Sequence, residues 1–129
     1  MTSKKETYRP RHLGQPSRRP VDRVDLVPWT GPSITVTLRC QELTSLCPVT
    51  AQPDFGQVTI TYVPTRHIVE TKSLKLYLWR FRNEGIFNEA LIAKIADDLF
   101  KQVRPEWIEV EGQFASRGGI SISAKVRRP

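Results

Sequence analysis

Residues 58–81 read V-T-I-T-Y-V-P-T-R-H-I-V-E-T-K-S-L-K-L-Y-L-W-R-F, and one periodicity gives way to another within them. Val58, Ile60 and Tyr62 alternate with Thr59 and Thr61, the period of a half-buried strand. Leu74, Tyr77, Leu78 and Phe81 then fall at i, i+3, i+4 and i+7, one face of a helix. Upstream, Ile34, Val36 and Leu38 alternate with Thr35, Thr37 and Arg39, which predicts an earlier strand. Downstream, Gly85 breaks the helix; Leu91, Ile92, Ile95 and Leu99 make a second amphipathic face, closed by Pro105. Ile108 and Val110 alternate with Glu109 and Glu111, and Ile120 and Ile122 with Ser121 and Ser123. The order ββααββ predicts an α+β domain, a four-stranded antiparallel sheet with both helices on one face. A sheet this small leaves open edges that need pairing or covering.

At 129 residues with 39% apolar side chains, the chain supports one domain with a modest core. No apolar run is long enough for a membrane span, and the N-terminus lacks the apolar segment of a secretory signal, so a cytoplasmic location is expected. The net charge is +7, yet seven Lys/Arg against Glu6 and Asp22 put +5 of it within residues 1–23. Residues 1–28 also carry Pro10, Pro16, Pro20 and Pro28 and read as a flexible basic leader, with residues 29–129 as the folded domain. The near-balanced domain argues against a strongly basic face, so no nucleic-acid partner is required. Cys40 and Cys47 are the only cysteines; they allow one disulfide, two buried thiols, or one reactive thiol in a reducing compartment. His12 and His67 lack zinc-ligand spacing to them, so no metal is expected.

Four short segments could carry chemistry. The first is E-L-T-S-L-C-P-V-T-A-Q-P-D-F, Glu42 to Phe55, which Pro48 and Pro53 mark as an ordered loop. Cys47 stands there outside any alternating strand, which favours accessibility, and Asp54 follows seven residues later. A thiolate attacking an electrophilic carbon, with a carboxylate as base or proton donor, is the chemistry these types allow; a buried thiol and a turn aspartate are the plain alternative. The second is E-T-K-S-L-K-L-Y, Glu70 to Tyr77, on its own a solvated first helical turn with Glu70 at the positive end of the dipole. The third is F-N-E-A, Phe87 to Ala90. On its own Glu89 reads as a first-turn helix residue, with Asn88 or Asn83 near the cap. The fourth, S-R-G-G-I-S-I from Ser116 to Ile122, reads as a hairpin turn on Gly118–Gly119. No G-x-G-x-x-G follows a strand, which excludes a Rossmann mode.

Taken in this order, the segments resemble the QueF family, the nitrile reductases of queuosine biosynthesis. The resemblance spans about Ile34 to Ser123, leaves the leader uncovered, and is closest to the short unimodular form. It implies the T-fold (tunnelling fold), whose subunits pair edge to edge, here as a decamer of two pentameric rings. It implies NADPH-dependent reduction of 7-cyano-7-deazaguanine to the 7-aminomethyl base, with Cys47 forming a thioimide and Asp54 handling protons. Glu89, Phe87, Asn88, Glu70 and Ser73 would line the substrate site. Lys72 and Lys75, with Arg117, would meet the cofactor. Two departures stand in this chain: Thr71 at the second place of the lysine motif, and Asn88 where the family has His before the glutamate. The alternatives are the QueF-like amidinotransferases, which share the Cys and Asp but lack the lysine motif, and a non-catalytic T-fold nucleic-acid binder.

Overall fold

The computed structural model describes residues 19–129. Its main sheet has four antiparallel strands in the order β2 (Val36–Leu46), β3 (Pro53–Val63), β5 (Trp107–Arg117) and β6 (Ile120–Arg128). Two helices, α1 (Thr71–Trp79) and α2 (Asn88–Val103), cross between β3 and β5, with a 3-10 turn over Arg80–Asn83. The alternating residues behave as their period requires. Val58, Ile60, Tyr62, Ile108 and Val110 point into the core, and the threonines and glutamates between them stay partly exposed. Leu74, Tyr77, Leu78 and Phe81 are buried on the α1 side, as are Leu91, Ile92, Ile95 and Leu99 on α2. Each such side chain contributes about 1.5–3 kcal/mol on burial, and together they join the sheet to the helices as one core.

α2 lies so close to the sheet that a Cβ at Gly112 would meet the Ile92 side chain at 2.3 Å, which is why a residue without a side chain stands there. The β5–β6 hairpin closes on Gly118 and Gly119, both at positive φ (59° and 81°), as a two-residue turn of this kind demands. β2 and β6 are the outer strands, 11 and 9 residues long.

Two expectations need correction. The loop assigned to Glu42–Phe55 is mostly strand: β2 runs to Leu46 and β3 starts at Pro53, leaving only residues 47–52 as the turn. Pro53 is tolerated because it is the first residue of its strand. Secondly, the flexible leader cannot extend to residue 28. Leu26–Pro28 form β1, antiparallel to β4 (His67–Val69), in a second, two-stranded sheet. Val24 and Asp25 are buried, and the Val24 amide donates to the Gln102 side-chain oxygen at 2.9 Å. The earlier part of the leader, residues 1–18, lies outside the described residues. The sheet also carries two bulges, one on the outer strand β2 and one on the inner strand β5. Three steps on β2 (Cys40 to Leu43) oppose two on β3 (Val58 to Gly56), and three on β5 (Phe114 to Arg117) oppose two on β6 (Ile122 to Ile120).

Candidate active site

β2, β3, β5 and β6 all have a terminus at one end of the sheet, and the start of α2 joins them there. Gly85 bridges Leu46 in parallel, with Leu46 N–H donating to the Glu84 carbonyl and Ile86 N–H to the Leu46 carbonyl, both at 3.0 Å. That pairing ties the segment before α2, with Phe87, Asn88 and Glu89, to the end of β2.

The 47–52 turn is held by its backbone. Cys47 N–H donates to the Gln52 carbonyl at 2.8 Å, and Ala51 N–H to the Cys47 carbonyl at 2.9 Å. Ala51 adopts φ 59°, a left-handed conformation that costs an L-residue about 1–2 kcal/mol. Those bonds hold it there. In the ladder below, Leu46 faces Pro53 and Ser45 faces Asp54.

The bulges set which side chains share a face. Side chains alternate along a strand, so one extra residue moves all that follow to the other face. The β2 bulge places Leu43 and Ser45 on the face of Val58 and Ile60, and the β5 bulge does the same for Arg117. Asp54, on the unbulged β3, already lies on that face, opposite Ser45.

Asp54 is buried, and its Oδ1 accepts from Arg117 Nη1 at 2.8 Å. Arg117 Nη2 donates to the Gln52 side-chain oxygen. The arginine expected at the cofactor is therefore engaged with Asp54 in this structure. Cys47 is half-buried, and neither cysteine is in a disulfide. The Thr50 hydroxyl, then the backbone N–H groups of Thr50 and Val49, draw its thiol from 9.0 to about 7; Arg117 adds in the same direction, and burial opposes. About half of such a thiol is thiolate at neutral pH. Phe87 and Glu89 are exposed, and Asn88 is buried at the start of α2.

Two polar atoms at this end have no hydrogen-bond partner among the described residues: Ser45 Oγ and Asn88 Oδ1. Buried polar groups are normally paired, and such exceptions mark strain, ligands or water. Ser45 has no part in the sequence-based assignment. Strand periodicity read from Ile34 through Leu38 misses it because the bulge intervenes. Large exposed apolar side chains also gather here: Val49, Phe55, Phe87 and Ile120.

Glu70 and Ser73, expected at the substrate, serve the fold at the opposite end of the sheet. Glu70 is the N-cap of α1, its carboxylate accepting from Lys72 N–H at 2.7 Å and Ser73 N–H at 2.8 Å. The Ser73 hydroxyl donates to the Glu70 carbonyl and accepts from Asp25 N–H, both at 2.7 Å, and is fully buried. Lys75 lines a cleft of about 1450 Å³ beside α1, together with Arg39 and Arg82 over an apolar floor that includes Leu38, Leu74 and Leu78. The cleft does not include Cys47 or Asp54, but it reaches their neighbours Thr44, Phe55 and Gly56. Three cations over an apolar floor suit the phosphates and rings of a dinucleotide. Among the described residues no group of three or more His, Cys, Asp or Glu could hold a metal ion, and no helix is long and apolar enough to cross a membrane.

A four-stranded antiparallel sheet with two helices packed against it has the architecture of a T-fold protein, and one end of this sheet holds a thiol and a buried carboxylate. The model of the QueF-like protein family matches residues 53–129. The NADPH-dependent 7-cyano-7-deazaguanine reductase of Anaeromyxobacter sp. (strain K) is 53% identical over 100 residues, 78% of this chain and 82% of that protein. The protein of the same name from Helicobacter pylori (strain HPAG1) is 56% identical over 87 residues, 67% of this chain and 59% of that one. The apo crystal structure of the archaeosine synthase QueF-Like superposes with a TM-score of 0.65 at 17% identity, covering 77% of this chain and 95% of that one. That last likeness is one of fold. The chain belongs to the QueF-like protein family.

Proposed function

We propose that the protein is an NADPH-dependent 7-cyano-7-deazaguanine reductase that makes 7-aminomethyl-7-deazaguanine for queuosine. The observation that carries this reading is the hairpin that sets Cys47, its thiol lowered to about 7, beside the buried Asp54. The relatives at 53–56% identity bear the reductase name, whereas the archaeosine synthase shares the fold at 17%.

The Cys47 thiolate adds to the nitrile carbon, and the nitrogen takes a proton, leaving a thioimide on Cys47. NADPH, when bound, supplies a hydride at each of two reductions. Between them the carbon–sulfur bond breaks, Cys47 leaves as thiolate and the carbon is held as an imine. Asp54 is placed to pass protons to the nitrogen, so that one nitrile, two hydrides and two protons yield the amine. Glu89 accepts from the ring N–H and NH₂ of the guanine-like edge, and exposed Phe87 packs on its plane. Asn88 Oδ1 offers the buried acceptor that a donor on the base can satisfy. Lys75, with Lys72 in the same helical turn, holds cofactor phosphates at the cleft. The working form is a cytoplasmic homo-oligomer, most simply two pentameric rings, because the open β2 and β6 edges pair between subunits.

Purified protein incubated with 7-cyano-7-deazaguanine should show the thioimide absorbance without NADPH. With NADPH it should consume two cofactors per base. Absence of both signals in a preparation sized as an oligomer by light scattering rejects the reading.

A further inference from the structure

Arg117 closes β5 just after a bulge. Without the extra residue, Ser116 would face Ile120 and stand on the helix side of the sheet, and Arg117 would turn to the other side. With it, Arg117 pairs with Ile120 and its guanidinium comes over β3. Both ends of the fork are then occupied: Nη1 on Asp54 Oδ1, Nη2 on Gln52 in the turn that carries Cys47. A planar guanidinium bonded at two points is fixed in orientation as well as in charge. It is tied to both candidate chemical elements, the carboxylate and the thiol's loop.

We propose that Arg117 is a positioning residue for the Cys47–Asp54 pair, holding the Asp54 carboxylate in place and compensating its charge so that the neighbouring thiol can ionise. This rests on the reading of Cys47 as the nucleophile. An unpaired Asp54 carboxylate beside a thiol disfavours thiolate, and Arg117 cancels that repulsion while adding attraction of its own. The other ionisable residues near this end are Glu42 on β2, Glu84 and Glu89 before and within α2, and Arg80 and Arg82 in the 3-10 turn. Arg82 lies over the Trp79 ring at 4.7 Å. The direct contribution of Arg117 to the thiol stands behind those of Thr50 and Val49, and its two hydrogen bonds go to Asp54 and Gln52.

The test is the pH dependence of iodoacetamide alkylation of Cys47 in the full chain, with Cys40→Ser leaving a single thiol. Arg117→Gln should reduce alkylation at pH 6.5 by about three- to tenfold and move the profile upward. Arg117→Lys should recover most of it. Adding Asp54→Asn to Arg117→Gln should also recover it, because the uncompensated carboxylate is gone. A wild-type profile in Arg117→Gln, accompanied only by a raised KM for NADPH, overturns the proposal and returns Arg117 to the cofactor. If Arg117→Gln does not fold, Gln52→Ala frees one arm of the fork and must shift the profile in the same direction; an unchanged profile there overturns the proposal equally. Alkylation needs no substrate, so this result stands apart from that of the adduct experiment. Absence of the thioimide in wild type with a shifted Arg117→Gln profile removes the reductase reading alone.

Discussion

Two buried carboxylates, Glu70 and Asp54, stand at opposite ends of the sheet and are satisfied in different ways. Glu70 has both oxygens on backbone amides of α1. Those donors belong to the helix itself, so the pair is as permanent as the fold. Asp54 has its Oδ1 on Arg117, whose side chain is 38% exposed. That donor is a side chain reaching across from another strand, held at its far end by Gln52 and partly open to solvent. Around Glu70, Ser73 uses both its donor and its acceptor, and Tyr62 accepts from Val69 N–H at 2.8 Å. Around Asp54, Ser45 and Asn88 each keep an atom without a partner among the described residues, and four large apolar side chains face outward. One end is a finished joint between β1, β4 and α1. The other is left polar, strained at Ala51 and open, as a surface that must meet a ligand or a neighbouring subunit requires.

Removing the candidate chemistry from the open end should leave the fold intact. Cys47→Ala should abolish both the thioimide and NADPH consumption. Asp54→Asn should slow reduction by about 10²–10⁴-fold, the usual range for a lost acid–base group. Both variants should keep a thermal midpoint close to wild type, because Cys47 lies in a turn and Asp54 loses only a partly exposed ion pair. Full turnover in Cys47→Ala removes it as nucleophile, and a large fall in the midpoint of either variant would make this end structural after all.

Much of the fold was legible because its periods are clean. Val58-Ile60-Tyr62 and Leu91-Ile92-Ile95-Leu99 bury the faces their spacing implies. The β1–β4 sheet was not legible: three residues with Pro28 among them carry no period, and β1 is made by pairing with His67–Val69 far along the chain. The site was legible only in part. Cys47 and Asp54 stand out by type, but the faces they share with Ser45 and Arg117 depend on two bulges, and a one-residue slip is invisible to a period-two pattern. Glu70 was read correctly as suited to the start of a helix, and only the resemblance moved it towards the substrate. Its hydrogen bonds make it the N-cap of α1.

The closed end gives the next largest effect. Glu70→Ala removes an N-cap from two buried amides and should cost about 1–2 kcal/mol, read as a lower denaturation midpoint. The thiol alkylation profile of Cys47 should not move, because the change lies at the other end of the sheet. A normal midpoint with loss of base binding would make Glu70 a ligand-binding residue and dissolve the distinction between the two carboxylates.

The finest test uses two serines, both fully buried. Ser73→Ala takes the acceptor from Asp25 N–H and the donor from the Glu70 carbonyl, so groups that cannot reach water lose partners. About 1–3 kcal/mol should be lost. Ser45→Ala deletes a hydroxyl with no partner, which carries a desolvation cost and returns nothing in the free protein. Its midpoint should stay within about 0.5 kcal/mol of wild type or rise. Any effect of Ser45→Ala should appear instead once the base is bound, as slower thioimide formation, if that oxygen engages the ligand. A matching loss of stability in both serines would show that Ser45 is bonded in the working oligomer, and that the open end is completed by protein rather than by substrate.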